Sequence, residues 1–198
     1  MKQGLIVLGV LVLALVAGLA WAVGVNNDLV TREQVVSEKW AQVQNVYQRR
    51  TDLVPNLVET VKGFAAQERT VLEEVTRARA SVAGLKVTPE VLNDPQALRK
   101  FQEAQTQLGG ALSRLLVTVE RYPELRSNQN FLALQSQLEG TENRITVERM
   151  RFSEAVRDYN TALKRFPGSM VGSFRGFKEK AFFEAAPDSQ AAPKVKFP

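Results

Sequence analysis

Few residues in this chain have chemistry to offer. Its 198 residues include neither histidine nor cysteine, which removes the commonest base near neutral pH, the usual zinc ligands and the thiol nucleophile. Carboxylates, Lys, Tyr, Ser and Thr remain. Three charged residues, Glu68, Glu142 and Arg149, fall on or beside otherwise apolar helical stripes. Two readings follow. In one, Glu68 and Glu142 form a carboxylate pair that holds a hard cation in a helical interior or serves a hydrolytic reaction. In the other, the three side chains form a mutually satisfied polar layer that fixes helix register. A Glu-x-x-His ligand pattern is impossible here, so the sequence predicts no metal site, no cofactor and no catalytic set.

Two further groups stand out. Asp52, Pro55, Asn56 and Glu59 cluster in TDLVPNLVETVKGF, and Asn143 and Arg144 lie next to Glu142. Polar residues beside a turn more often brace it than present a partner surface. In the C-terminal stretch, Phe174, Phe177, Phe182 and Phe183 alternate with Arg175, Lys178 and Lys180. Such a segment either docks on anionic lipid or pins an extended tail into the protein's own grooves.

The elements that must position these residues begin at the N-terminus. After Lys2 no charge appears until Asp28. At about 1.5 Å of rise per residue this interval covers a bilayer core of about 30 Å. Ala20-Trp21-Ala22 also fits a signal-peptidase site, but the run is long for a cleaved signal, and Trp21 sits where an interfacial aromatic helps. A single-span anchor is the expectation. Counting the positive charges near its ends leans slightly to a cytoplasmic N-terminus, with the remaining chain on the periplasmic or outer side.

Beyond the anchor, apolar residues recur at alternating three- and four-residue spacing, as in Leu98, Phe101, Leu108, Leu112, Leu115 and Val119. That is the coiled-coil-like signature of packed helices, and no segment alternates with period two. Arg49 to Asp52 reads as a helix end followed by a new N-cap, placing Pro55 in a first turn where its missing N–H costs no bond. Asp94-Pro95 reads as a cap with proline at the first helical position. Gly84 to Thr88 reads as a loop, and Ser127-Asn128 as a turn. The sequence therefore predicts an all-α fold: an anchor over 1–26, an antiparallel four-helix bundle over 27–166, and an extended, irregular tail over 167–198. The helices are expected near 27–49, 52–84, 94–122 and 127–165. This arrangement lays Trp40 beside Phe64 across a hairpin, with Leu57 and Phe64 facing the core.

DLVPNLVETVKGFAAQE, EGTENRITVER and the ending RFPGSM…GFKEKAFFEA…APKVKF, in this order behind an apolar N-terminus, resemble the LemA family of bacterial membrane proteins. The resemblance implies a single-span membrane protein with a four-helix bundle and no established enzymatic activity. Family members often carry histidine before Glu68, where this chain has Gln67, which weakens any metal or acid-base role at that position. The family's short N-terminus is often placed outside the cell, opposite to the charge count.

The expected function is that of a membrane-anchored scaffold or protein-interaction module in the cell envelope. It is expected to be non-enzymatic, to reside in the inner membrane, and to partner other envelope proteins or itself. The alternative is a small-ligand or cation-binding module, or a hydrolytic one, using Glu68 and Glu142. The small, dispersed basic excess, formally +5, argues against a nucleic-acid surface.

Overall fold

The computed structural model describes residues 2–85 and 88–184. Met1, Lys86, Val87 and residues 185–198 lie outside the described residues, and with them part of the loop expected over 84–88 and the end of the tail. The described chain is helical and contains no strand. Its helices are α1 (Lys2–Phe64), α2 (Arg69–Ala83), α3 (Pro95–Val119), the one-turn α4 (Pro123–Arg126), α5 (Gln129–Lys164) and α6 (Gly168–Arg175), with a 3₁₀ turn at Pro89–Asn93 between α2 and α3.

The first correction concerns α1. It is one helix of 63 residues with Pro55 inside it, so there is no turn at 49–52 and no helix start at Asp52. Trp40 and Phe64 therefore stand in line on one helix. The physical reason is a buried stripe that never breaks: Val36, Trp40, Val43, Tyr47, Arg50, Thr51, Val54, Leu57, Val61 and Ala65 are all buried. Ending the helix at residue 50 would rotate Val54 and Leu57 off that stripe. Asp52 is not a cap; its carboxylate accepts a bond from Gln48 Nε2 at 2.7 Å, one turn back on the same exposed face. The chain instead turns at Ala65–Glu68, where the Ala65 amide still bonds Val61 O at 2.8 Å and the Glu68 amide bonds Ala65 O at 3.0 Å. Ala65 takes the last core position, and Phe64, expected inside, is 42% exposed.

Residues 3–21 of α1 are all exposed and, after Gln3, apolar, with a mean hydropathy of 2.8 over the most apolar 18 residues of the helix, which is long and apolar enough to cross a membrane. The rest of α1 packs on α5 along its length and on α2 near its end, while α2 packs on α3. Sequence order reverses across two of these pairings: Glu74 and Glu68 of the α2 side meet Arg114 and Arg121, and Arg50 meets Glu142 while Leu29 lies near Leu163. Local caps set the helix starts. Asp94 Oδ1 accepts the Gln96 and Ala97 amides at 2.9 and 3.2 Å, with Pro95 at the first helical position. Asn128 Oδ1 accepts the Phe131 amide at 3.1 Å.

The core has two apolar halves. Near the apolar N-terminal segment, Leu29, Val36, Trp40 and Tyr47 pack with Leu98, Phe101, Ile145, Phe152 and Tyr159. Away from it, Val54, Leu57 and Val61 pack with Leu72, Val75, Leu108, Leu115, Phe131 and Leu138.

The second correction concerns the tail, which opens with the helix α6 rather than irregular chain. Two glycines allow α6 to lie against α5. A Cβ at Gly168 would collide with the backbone carbonyl of Ala162, and one at Gly172 with the Leu163 side chain. Gly176 then closes the helix in the left-handed conformation at φ +75°, which glycine adopts without strain.

Candidate functional site

Between the two apolar halves lies a polar layer. Its centre is Arg50, on α1 one turn after Tyr47 and one before Val54. It is only 4% exposed. Arg50 Nη1 donates to Glu142 Oε1 at 2.9 Å, and Nη2 donates to the Gln105 carbonyl at 2.9 Å and to Gln105 Oε1. The guanidinium lies 5.1 Å from the Tyr47 ring centroid, while its Nε is buried without a partner. Buried Thr141, next to Glu142, turns its hydroxyl onto the Gln137 carbonyl at 2.7 Å. Burial raises the Tyr47 phenol above its usual pKa, with Arg149 and Arg50 pulling the other way. A cleft of about 240 Å³ opens beside this layer, lined by Tyr47, Gln48, Thr51 and Gln105 among others.

Glu142 and Arg149 both act on Tyr47, but Glu68 does not join them. Glu142 belongs to the Arg50 layer. Glu68 sits at the α1–α2 turn, beyond Phe64 and so about 20 Å along α1 from Arg50 at 1.5 Å per residue. There its Oε1 accepts the Tyr122 hydroxyl at 2.6 Å and Arg121 Nη2 at 3.2 Å, while Gln67 Nε2 donates to the Tyr122 oxygen at 3.1 Å. These bonds tie the turn to the end of α3, and the Glu68 hydrogen bond raises the Tyr122 phenol. Arg149 lies over the Phe183 ring at 4.5 Å. A Glu68–Glu142 carboxylate pair is thus ruled out by distance. Among the described residues, no group of three or more acidic side chains is placed to hold a metal.

Asp52, Pro55, Asn56 and Glu59 share the exposed face of α1, where Glu59 pairs loosely with Lys62 at 3.7 Å. Asn143 and Arg144 are also exposed.

The tail aromatics separate into two sets. Phe183 enters the core, 5.9 Å from Trp40 and 5.5 Å from Phe152, and Phe177 packs against the same cluster. Phe182, Lys178 and Phe174 are exposed, Phe174 at 91%. Lys180 holds the inner set in place. Its side chain is buried and donates to Glu33 Oε1 at 2.6 Å and Asn93 Oδ1 at 2.8 Å. Asn160 grips its backbone from both sides, accepting the Lys180 N–H at 3.0 Å and donating to its carbonyl at 2.9 Å. The Ala181 amide reaches Leu92 O at 2.9 Å, and the Tyr159 hydroxyl donates to Lys178 O at 3.0 Å. Burial, and then the charge of Glu33, push the Tyr159 phenol up to about 12.

Arg50 and Lys180 are the two buried cations among the described residues; the sequence places Arg50 at a helix end and Lys180 among the basic residues of the tail, and buries neither. The signal for Arg50 was its place on the stripe, four residues before Val54 and three after Tyr47. Lys180 had no local signal, because Glu33 lies 147 residues away.

Helices that share a core in two halves, with one of them extending beyond it as an exposed apolar segment long and apolar enough to cross a membrane, define an all-helical protein. The LemA family model matches residues 39–197, and the chain belongs to the LemA family. A comparison with curated proteins gave no match.

Proposed function

We propose that this protein is a non-enzymatic scaffold of the bacterial cell envelope, anchored by a single span in the inner membrane. In this reading α1, α2, α3 and α5 form an antiparallel four-helix bundle facing the periplasm or cell exterior, whose outer surfaces engage other envelope proteins or further copies of the chain. The observation that carries it is the unbroken α1: the apolar segment and the bundle share one helix, so the bundle is held at a set height and direction. The polar groups in and beside the core support the same reading, since Arg50, Glu142, Gln105, Glu68 and Lys180 are each committed to internal bonds.

The test uses the absence of cysteine in the chain. Single cysteines at Val117, Leu132 and Met150, all exposed, are coupled to a short photocrosslinker in intact cells. The reading expects discrete adducts of defined mass from at least one bundle face. Only diffuse background at all three positions would overturn it. An alkaline-phosphatase fusion after Pro198 tests the side: an active fusion is expected, and an inactive one places the bundle in the cytoplasm.

A further inference from the structure

We infer that α6 is a second membrane contact, an interfacial element that lies in the headgroup layer beside the point where α1 leaves the bilayer. The inference rests on the anchoring proposed above. Phe166, Met170 and Phe174 recur every fourth residue and are 74%, 56% and 91% exposed. The opposite face of the same segment, Gly168, Val171 and Gly172, is buried against α5 and α1. A soluble protein has no reason to hold three large apolar side chains in water together, Met170 and Phe174 on one side of a short helix and Phe166 just before it.

Their position identifies the occupant. Phe166 stacks on Trp21 at 5.9 Å between centroids, and Arg175 Nε donates to Asn26 Oδ1 at 3.1 Å. An apolar groove of about 570 Å³ runs between α6 and the end of the span, lined by Leu19, Val23, Met170 and Phe174 among others. The exposed face of α6 is therefore continuous with the exposed apolar surface of the span and ends level with its interfacial tryptophan. Arg165 and Arg175 flank the apolar row, and neither forms an ion pair with a carboxylate among the described residues. Aromatic side chains at the acyl boundary with guanidiniums at headgroup depth are the chemistry of an anionic lipid surface. Phe177 and Phe183, turned inward, take no part.

The experiment uses the full chain reconstituted in phosphatidylcholine–phosphatidylglycerol vesicles. Leu13→Cys, Phe174→Cys and Val117→Cys are each labelled with an environment-sensitive fluorophore, and lipids carrying a nitroxide either high or deep on the acyl chain serve as quenchers, the deep one reading Leu13 and the shallow one Phe174. Leu13 reports the anchor, Phe174 reports α6, and Val117 reports the distant bundle end. Quenching of at least about twofold is expected at Leu13 and Phe174 and none at Val117, as for a side chain within the acyl boundary. Arg165→Gln with Arg175→Gln should reduce the Phe174 quenching when phosphatidylglycerol is present and change it little in phosphatidylcholine alone. Quenching at Leu13 without quenching at Phe174 overturns this inference and leaves the anchor standing. No quenching at Leu13 overturns the anchor and the inference with it. A blue-shifted but unquenched label at Phe174 means that a protein surface, not lipid, covers α6.

Discussion

Arg79 of α2 donates its Nε–H to the Thr51 carbonyl of α1 at 3.3 Å, and that carbonyl is the acceptor Pro55 leaves empty by having no N–H one turn later. Proline in a helix interior costs roughly 3 kcal/mol or more, yet here the stranded acceptor is supplied from the neighbouring helix. The proline thus fixes where α2 must lie against α1.

This pairing predicts a thermodynamic coupling. Arg79→Ala should cost about 1 kcal/mol with Pro55 present, since it orphans a buried carbonyl. In a Pro55→Ala background the restored amide satisfies Thr51, and the same Arg79→Ala change should cost less than about 0.5 kcal/mol. Urea unfolding of the four variants measures the difference. Equal costs in both backgrounds would show that Arg79 does not answer the proline.

The Arg50–Glu142 pair predicts an asymmetry. Arg50 is buried, whereas the Glu142 side chain is 44% exposed. Removing the carboxylate leaves a buried cation without its counter-charge; removing the cation leaves a carboxylate that water can reach. Glu142→Ala should therefore cost about 2–4 kcal/mol, and Arg50→Met, which keeps most of the volume, about 1 kcal/mol. Thermal unfolding in matched buffers gives the order. A larger loss for Arg50→Met would mean that the layer is held by the Gln105 bonds and not by charge.

Much of the architecture could be read locally. Asp94-Pro95 and Asn128 carry their helix starts within four residues, so the sequence places them well. The long apolar stretch at the N-terminus is a property of composition alone. The turn between the first two helices was misplaced because polar Arg50 and Thr51 interrupt the visible apolar pattern next to a proline, and together they imitate a helix boundary. The actual turn, Ala65–Glu68, contains neither proline nor glycine. Its brace, Glu68 to Tyr122 and Arg121, comes from residues more than fifty positions away. Phe64 looked like core because it is large; the continuing stripe gives that place to Ala65. The Lys180 clamp depends on Glu33, Asn93 and Asn160 meeting in space, which no window of sequence contains.

The tail clamp carries a pH signature. Tyr159 has its pKa raised from 10.0 to about 12, so the folded state holds the phenol proton more tightly than the unfolded chain does. Its contribution is complete below pH 10 and is lost as pH rises from there through about 12. Stability should fall across this window, and Tyr159→Phe should flatten part of the fall while losing about 1 kcal/mol at neutral pH with the bond to Lys178 O. Tyr47 and Tyr122 are also raised. Ultraviolet titration of phenolate should therefore show all three tyrosines ionising above their usual range in folded protein. A single transition at pH 10 would contradict the buried placement of Tyr159.

The proposed scaffold depends most on α1 being one helix from the apolar N-terminal segment to Phe64. Nitroxides at Asn27→Cys and Lys62→Cys, both exposed, measure this directly in detergent or nanodiscs. Thirty-five residues of continuous helix place the two backbone positions about 52 Å apart at 1.5 Å per residue, and pulsed electron paramagnetic resonance should return a single narrow distribution near that value. A turn at residues 49–52 would fold the chain back and bring the labels to about 20 Å. That shorter distance would contradict the continuous helix and the rigid coupling of bundle to membrane built on it.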